Sequence, residues 1–191
     1  MSIDEKEGQL KFMVLDGLLR LRQLCNAPLL VDPKLKGNDA RSIKIDSLIF
    51  ALTEEIGDGN AIVFSQFVQM LSLVRKELDR LKIPYAYLDG KTKDRAAEVD
   101  KFMNNPECKI FLLSLKAGNT GLNLTKAQYV FIIDPWWNPA VEAQAIDRTH
   151  RIGQNKKVFA YKMICNDSVE EKIVKLQERK KKVAVEIIQT D

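Results

Sequence analysis

IFLLSLKAGNTGLNLTKAQYVFIIDPWWNP, residues 110–139, decides the fold. It holds two apolar runs of strand length, Ile110–Leu113 and Tyr129–Ile133, each followed by small, polar or turn-forming residues. The runs are continuous rather than alternating, which marks strands covered on both faces. Outward from this stretch the pattern repeats. Further apolar runs stand at Ala61–Phe64, Tyr85–Leu88 and Val158–Met163, and helical periodicity separates most of them, at Phe67–Leu81, Arg95–Met103 and Ala140–Ile152. Strands alternating with helices predict an α/β fold: a three-layer parallel sheet with helices on both faces.

The flanks read as helices that brace this lobe. Residues 8–25 are dense in leucine and end before Pro28, as a buried helix would. DPKLKGNDA at 32–40 is a loop or linker, and residues 41–56 form a second helix with Ile45, Leu48, Ile49 and Leu52 on one face. The last element opens at Ser168 with a capping box completed by Glu171. It continues through Val169, Ile173, Leu176, Val183 and Ile187 as an amphipathic helix. The divisions are therefore 1–40, an N-terminal helix and linker; 41–166, the α/β lobe; and 167–191, a C-terminal bracing helix.

Composition sets loose bounds. The 191 residues are 46% hydrophobic and 29% charged, ordinary for a globular chain, and no apolar run approaches the ~20 residues needed to span a membrane. The N-terminus MSIDEKEGQL is acidic, unlike a secretory signal. A net charge of +4 is compatible with nucleic acid without implying it. Cys25, Cys108 and Cys165 lie far apart among apolar neighbours, and the lone His150 does not complete a zinc site with them. They are expected to be buried free thiols of a reducing compartment, with no metal.

In an open parallel sheet, ligands bind beyond the carboxyl ends of the strands. Those ends carry Ser65-Gln66, Asp89-Gly90-Lys91-Thr92, Ser114 with the loop Lys116–Asn123, and Asp134-Pro135-Trp136-Trp137-Asn138-Pro139. Gly90-Lys91-Thr92 is not a phosphate-binding loop, because Tyr85 stands where the first glycine is required. No other segment supplies one, and no strand-plus-acidic pair for magnesium stands out. The loop at 116–124, with Gly118, Asn119 and Gly121, offers backbone N–H groups to phosphate oxygens, or is an ordinary strand-to-helix turn. Trp136-Trp137 is either core packing or an exposed stacking platform.

PAVEAQAIDRTHRIGQ, residues 139–154, is the most specific stretch. Asn138 and Pro139 suit an N-cap and first helical residue, and Gly153 is a natural stop. Ala140, Ala143 and Ile146 mark the face turned to the sheet, while Gln144, Arg148 and Arg151 fall on one face at i, i+4 and i+7. One amide and two guanidiniums in a row suit developing phosphoryl charge, since Arg stays charged and bonds two oxygens at once. Alternatively, this is a solvent-facing helix with an Asp147–Arg151 pair. The run Lys180–Lys182 is likewise a solvated face or a DNA-contacting patch.

Taken in order, SQF, LDGKT, LLSLKAGNTGLNL and DPWWNPAVEAQAIDRTHRIGQ resemble the motifs of the Swi/Snf-type helicase-like ATPases. LLRLRQLCNAPLL is similar to the helix entering the second motor lobe of that family, and SVEEKIVKLQERKK to the helix closing it. The resemblance covers nearly the whole chain. It implies a RecA-like C-terminal lobe of an ATP-dependent double-stranded DNA translocase, with ATP in a cleft against an N-terminal RecA-like lobe. That other lobe would hold ATP and Mg2+ through its phosphate loop and acidic motif. The resemblance makes Arg148 and Arg151 arginine fingers, with Gln144 near the γ-phosphate and Gly121 near the nucleotide. It places Ser65, Gln66, Gly90, Lys91, Ser114, Lys116 and Trp137 against a DNA strand. Family members more often carry glycine where Asn119 stands. It further implies that this chain alone hydrolyses no ATP, and a cytoplasmic or nucleoid location, nuclear in a eukaryote. A self-contained α/β enzyme binding a nucleotide-type ligand, and a non-catalytic DNA- or protein-binding module, are the alternatives.

Overall fold

The computed structural model describes residues 3–118, 122–147 and 157–188, without the side chains of 3–6 and 181–188. In chain order the elements are α1 (Ile3–Asn26), α2 (Ile43–Phe50), β1 (Ala61–Ser65), α3 (Val68–Arg80), β2 (Tyr85–Leu88), α4 (Arg95–Asn104), β3 (Ile110–Ser114), α5 (Leu115–Gly118), β4 (Tyr129–Ile132), α6 (Pro139–Ile146), β5 (Phe159–Lys162) and α7 (Val169–Ile188). The five strands form one parallel sheet in the order β2-β3-β1-β4-β5.

The alternation of side chains along each strand builds two cores. Ala61, Val63, Ile110, Leu112 and Phe131 point to one face, where α2 and α3 supply Ile45, Leu48, Met70, Leu71, Val74 and Leu78. Ile62, Phe64, Ala86, Leu88, Phe111, Leu113, Val130 and Ile132 point to the other, against Phe102 of α4, Leu115 and Ala145. Helices cover both faces of the central strands, the three-layer arrangement that the apolar runs predict and the RecA-like lobe that the resemblance implies. At the sheet edge β5 is exposed at all four positions, against the expectation of a strand covered on both faces. Gly59 lets β4 approach, since a Cβ there would stand 2.4 Å from the Tyr129 ring.

The strands lie within two residues of their expected bounds. The helix expected over 41–56 divides into α2, capped by the Ser42 hydroxyl accepting from Ile45 N, and a π-helical turn over Ala51–Glu55. Part of the expected glycine loop is helical: α5 starts directly after β3, and Ser114 Oγ accepts from Ala117 N at 3.3 Å.

Both bracing helices differ from expectation in what they bury. Along α1, Phe12 (73%), Leu15 (65%) and most of their apolar neighbours from Leu10 to Leu24 are exposed, Leu18 is half-buried, and Arg22 and Asn26 are the buried residues among those described. The described side chains of its first part, Glu7 to Leu15, are all exposed, so the leucines there are not the core they suggest. Helix α7 docks through Glu170, Ile173 and Gln177, while Leu176 is exposed. The Ser168 hydroxyl accepts from Glu170 N, and it is Glu170 rather than Glu171 that reaches back, accepting from Cys165 N at 3.0 Å. Glu171 instead faces Lys175.

Candidate nucleic-acid interface

The chain leaves β1 through α3 on one face and leaves β3 toward β4 on the other, where Leu115, Ala117, Leu124 and Ala127 are buried. Connections that depart on opposite faces open a crevice at the carboxyl ends of the two strands. The register sets Ser65 beside Ser114 there.

Asp134 organises this edge. Its carboxylate is fully buried and accepts from Ser65 Oγ at 2.5 Å and Gln66 N at 3.1 Å. Burial pushes its pKa above the usual carboxylate range, opposed by those two donors and by Lys44 and Arg22. The adjacent Gln66 Nε2 is buried and finds no hydrogen-bond partner among the described residues. An unsatisfied buried amide costs about 1–3 kcal/mol.

At β2 the turn after Leu88 is built by Asp89, whose Oδ1 accepts from Lys91 N at 2.8 Å and from the Thr92 hydroxyl at 3.2 Å. Burial alone would raise the Asp89 pKa, but bonds from Tyr87, Lys91 N and Thr92 together hold it below the usual range. The closed turn leaves Gly90 and Lys91 exposed. Lys116 is exposed on α5, whose Ala117 carbonyl accepts from Arg95 at 2.7 Å. Trp137 is 38% exposed, whereas Trp136 is half-buried against the core beneath α4 and α6, so the pair divides between the two roles open to it.

The expected DNA-facing residues therefore gather at one edge in two states. Gly90, Lys91, Lys116 and Trp137 are open, and Ser65 and Ser114 are buried with their hydroxyls engaged within the chain. Asn138 caps α6 by accepting from Ala140 N, with Pro139 following. Gln144 is exposed on that helix. Gly121, Arg148 and Arg151 lie outside the described residues. The buried face of α6 is not the alanine face expected: Glu142 and Ala145 are buried, while Ala140 and Ala143 are exposed. Glu142 is drawn inward by polar partners, accepting from Trp136 N at 2.7 Å and Gln177 Nε2 at 3.0 Å and pairing with Lys162.

Two cysteines far apart in sequence meet. Cys25, Cys165 and Glu170 place their ligand atoms within 4.8 Å of one another, and both thiols are half-buried. Both Glu170 oxygens already accept, one from Lys44 Nζ at 2.6 Å and one from Cys165 N, and the Lys44 ammonium opposes a further cation. Burial pushes the Cys165 thiol up to about 11.

Residues 43–153 match the model of the helicase conserved C-terminal domain. The chain is 43% identical over 148 residues to the DNA repair protein rad8 of Schizosaccharomyces pombe, covering 75% of this chain and 13% of that protein. It is 38% identical over 189 residues to a putative ATP-dependent helicase/translocase, YwqA, of Bacillus subtilis, covering 96% of this chain and 20% of the relative. The crystal structure of the C-terminal part of the Fun30 ATPase domain superposes with a TM-score of 0.70 at 39% identity, over 83% of this chain and 53% of that one. The chain thus spans about an eighth to a fifth of these curated relatives. No helix among the described residues is long and apolar enough to cross a membrane. The matched domain model and the fold it shares with the Fun30 lobe make this chain a member of the helicase conserved C-terminal domain family, as the C-terminal lobe of a Swi/Snf-type helicase-like ATPase.

Proposed function

We propose that this chain is the second motor lobe of an ATP-driven translocase on double-stranded DNA. It would contact the DNA backbone through its carboxyl edge and act on ATP held by a partner lobe of the same protein. The observation that carries the reading is the edge itself: Gly90, Lys91, Lys116 and Trp137 stand open around a crevice whose floor holds the Gln66 amide, unpartnered among the described residues. Exposed lysines suit phosphates, which gives binding without sequence preference. Trp137 offers a flat apolar surface to a sugar or base. Ser65 and Ser114 hold the floor of the crevice.

The nucleotide side rests on Gln144, Arg148 and Arg151. Gln144 is exposed while Glu142 and Ala145 beside it are buried, so it is open to a ligand held outside this chain. ATP with Mg2+, bound by the other lobe, supplies the phosphoryl group. The two guanidiniums would stabilise its charge in the transition state, an effect worth ~10³–10⁵ in rate in phosphoryl transfer. Gln144 and the backbone near Gly121 would position the phosphate. The chain's own sequence carries no phosphate loop, so alone it would turn over no ATP.

The purified chain tests this directly. It is expected to bind duplex DNA weakly, with affinity falling steeply as salt rises and with no sequence preference, and to show no DNA-stimulated ATP hydrolysis. Robust turnover by the isolated chain, or salt-independent binding, would overturn the reading.

A further inference from the structure

The helices at the two ends of the chain converge on one loop. Arg22 of α1 donates from Nη2 to the Pro135 carbonyl at 2.6 Å, and its guanidinium lies 5.4 Å from the Trp137 ring and 5.7 Å from that of Phe67. Gln177 of α7 donates from Nε2 to the next carbonyl, Trp136 O, and to Glu142 Oε1 at 3.0 Å. Glu142 in turn accepts from Trp136 N at 2.7 Å and pairs with Lys162 of β5. Both backbone polar groups of Trp136 are thus held by side chains that also bond each other. Arg22, Glu142 and Gln177 are all nearly fully buried, at 3%, 1% and 3% exposure.

Burying three polar side chains is costly unless each finds its partners. Arg22 Nη2, Glu142 Oε1 and Gln177 Nε2 do, while Arg22 Nε is buried without one among the described residues, and the bonds that are made hold the two carbonyls in place. The turn does not need them to exist: two prolines and the Asn138 cap already shape it. What they add is a fixed setting of Trp137, the aromatic residue that the loop leaves exposed at the carboxyl edge.

We infer that Gln177 and Arg22 are positioning residues for nucleic-acid engagement: from α7 and α1 they clamp consecutive carbonyls of the Asp134–Asn138 loop and so fix how Trp137 meets the bound strand. The inference rests on the reading of Trp137 as DNA-facing. It gives the bracing helices a route to the DNA-contacting edge that involves no residue touching the nucleotide.

The test uses the intact motor protein and its DNA-stimulated ATPase, titrated with duplex DNA. Gln177→Met keeps the length of the side chain and removes its donor. It is expected to raise the half-saturating DNA concentration about fivefold to tenfold, leaving the DNA-free rate and the KM for ATP unchanged. Gln177→Leu, of similar size but with no donor and no charge to oppose Glu142, gives the same shift if the methionine variant is insoluble. Arg22→Lys, which retains a donor but loses the guanidinium over the Trp137 ring, moves the DNA dependence in the same direction by less. A lowered melting temperature with unchanged DNA dependence in the Gln177 variants would show a brace and nothing more, and would overturn the inference. Trp137→Ala separates the two levels. If it shifts the DNA dependence and the Gln177 variants do not, the clamp is refuted alone; if Trp137→Ala itself changes nothing, the underlying reading falls and the clamp with it.

Discussion

Gly90 shows a residue type that the fold does not ask for. Its φ lies outside the left-handed region, and a Cβ there would meet no atom within 4 Å. Gly90→Ala is therefore expected to leave the melting temperature unchanged or slightly raised, since the substitution chiefly restricts the unfolded chain. If a DNA backbone passes close over this turn, the same methyl group weakens duplex binding. A calorimetric scan paired with a binding titration checks both, and unaltered DNA affinity would remove the LDGKT turn from the interface. Glu142 is the opposite case. Its spacing in α6 marks it as one more polar helix position, yet it is buried and bonds Trp136 N, Gln177 Nε2 and Lys162. Its partners Gln177 and Lys162 are separated from it by 35 and 20 positions, so no local pattern could reveal it. The only signal in the sequence was indirect: alanines at 140 and 143 are small enough to face either way.

At the scale of elements, α2 and α7 are tied by one buried ion pair. Lys44 Nζ sits 2.6 Å from Glu170 Oε1 and also donates to Ile133 O and Asn26 Oδ1, with both side chains almost wholly buried. Removing one partner of such a pair strands the other charge. Lys44→Met is accordingly expected to destabilise the chain by about 3–5 kcal/mol, and the double substitution Lys44→Met with Glu170→Met to recover much of that loss. Chemical denaturation of the three proteins measures it, and equal losses in single and double variants would contradict the account. A buried parallel strand writes itself as a short continuous apolar run, which makes the central strands legible; β5, at the edge and exposed at all four positions, carries the same kind of run without the burial. The bracing helices were legible as helices but not in what they bury. Leucine density in α1 suggested a core, whereas Arg22 and Asn26 do the anchoring. Polar anchors with long-range partners leave no periodic trace. Helix α5 was missed because four residues are too few to carry a period.

For the whole molecule, the order of motifs along the chain gave the family, and the domain match and the Fun30 superposition agree with it. The sheet explains why ordered motifs are informative. Segments separated by up to 70 residues are strand ends of one parallel sheet, so they reach one edge in the folded chain. The gathering of Ser65, Gln66, Ser114 and Asp134 follows from that topology, and the buried state of the two serines does not. In the function proposed above, this lobe completes an ATP site that it does not itself hold. Substituting Arg151→Ala in the intact motor protein, and measuring nucleotide affinity and DNA-stimulated turnover side by side, tests it most directly. The account predicts that turnover is abolished, a loss of at least about 10³-fold, while ATP binding remains within a few-fold of the unsubstituted protein. An unchanged kcat would contradict it.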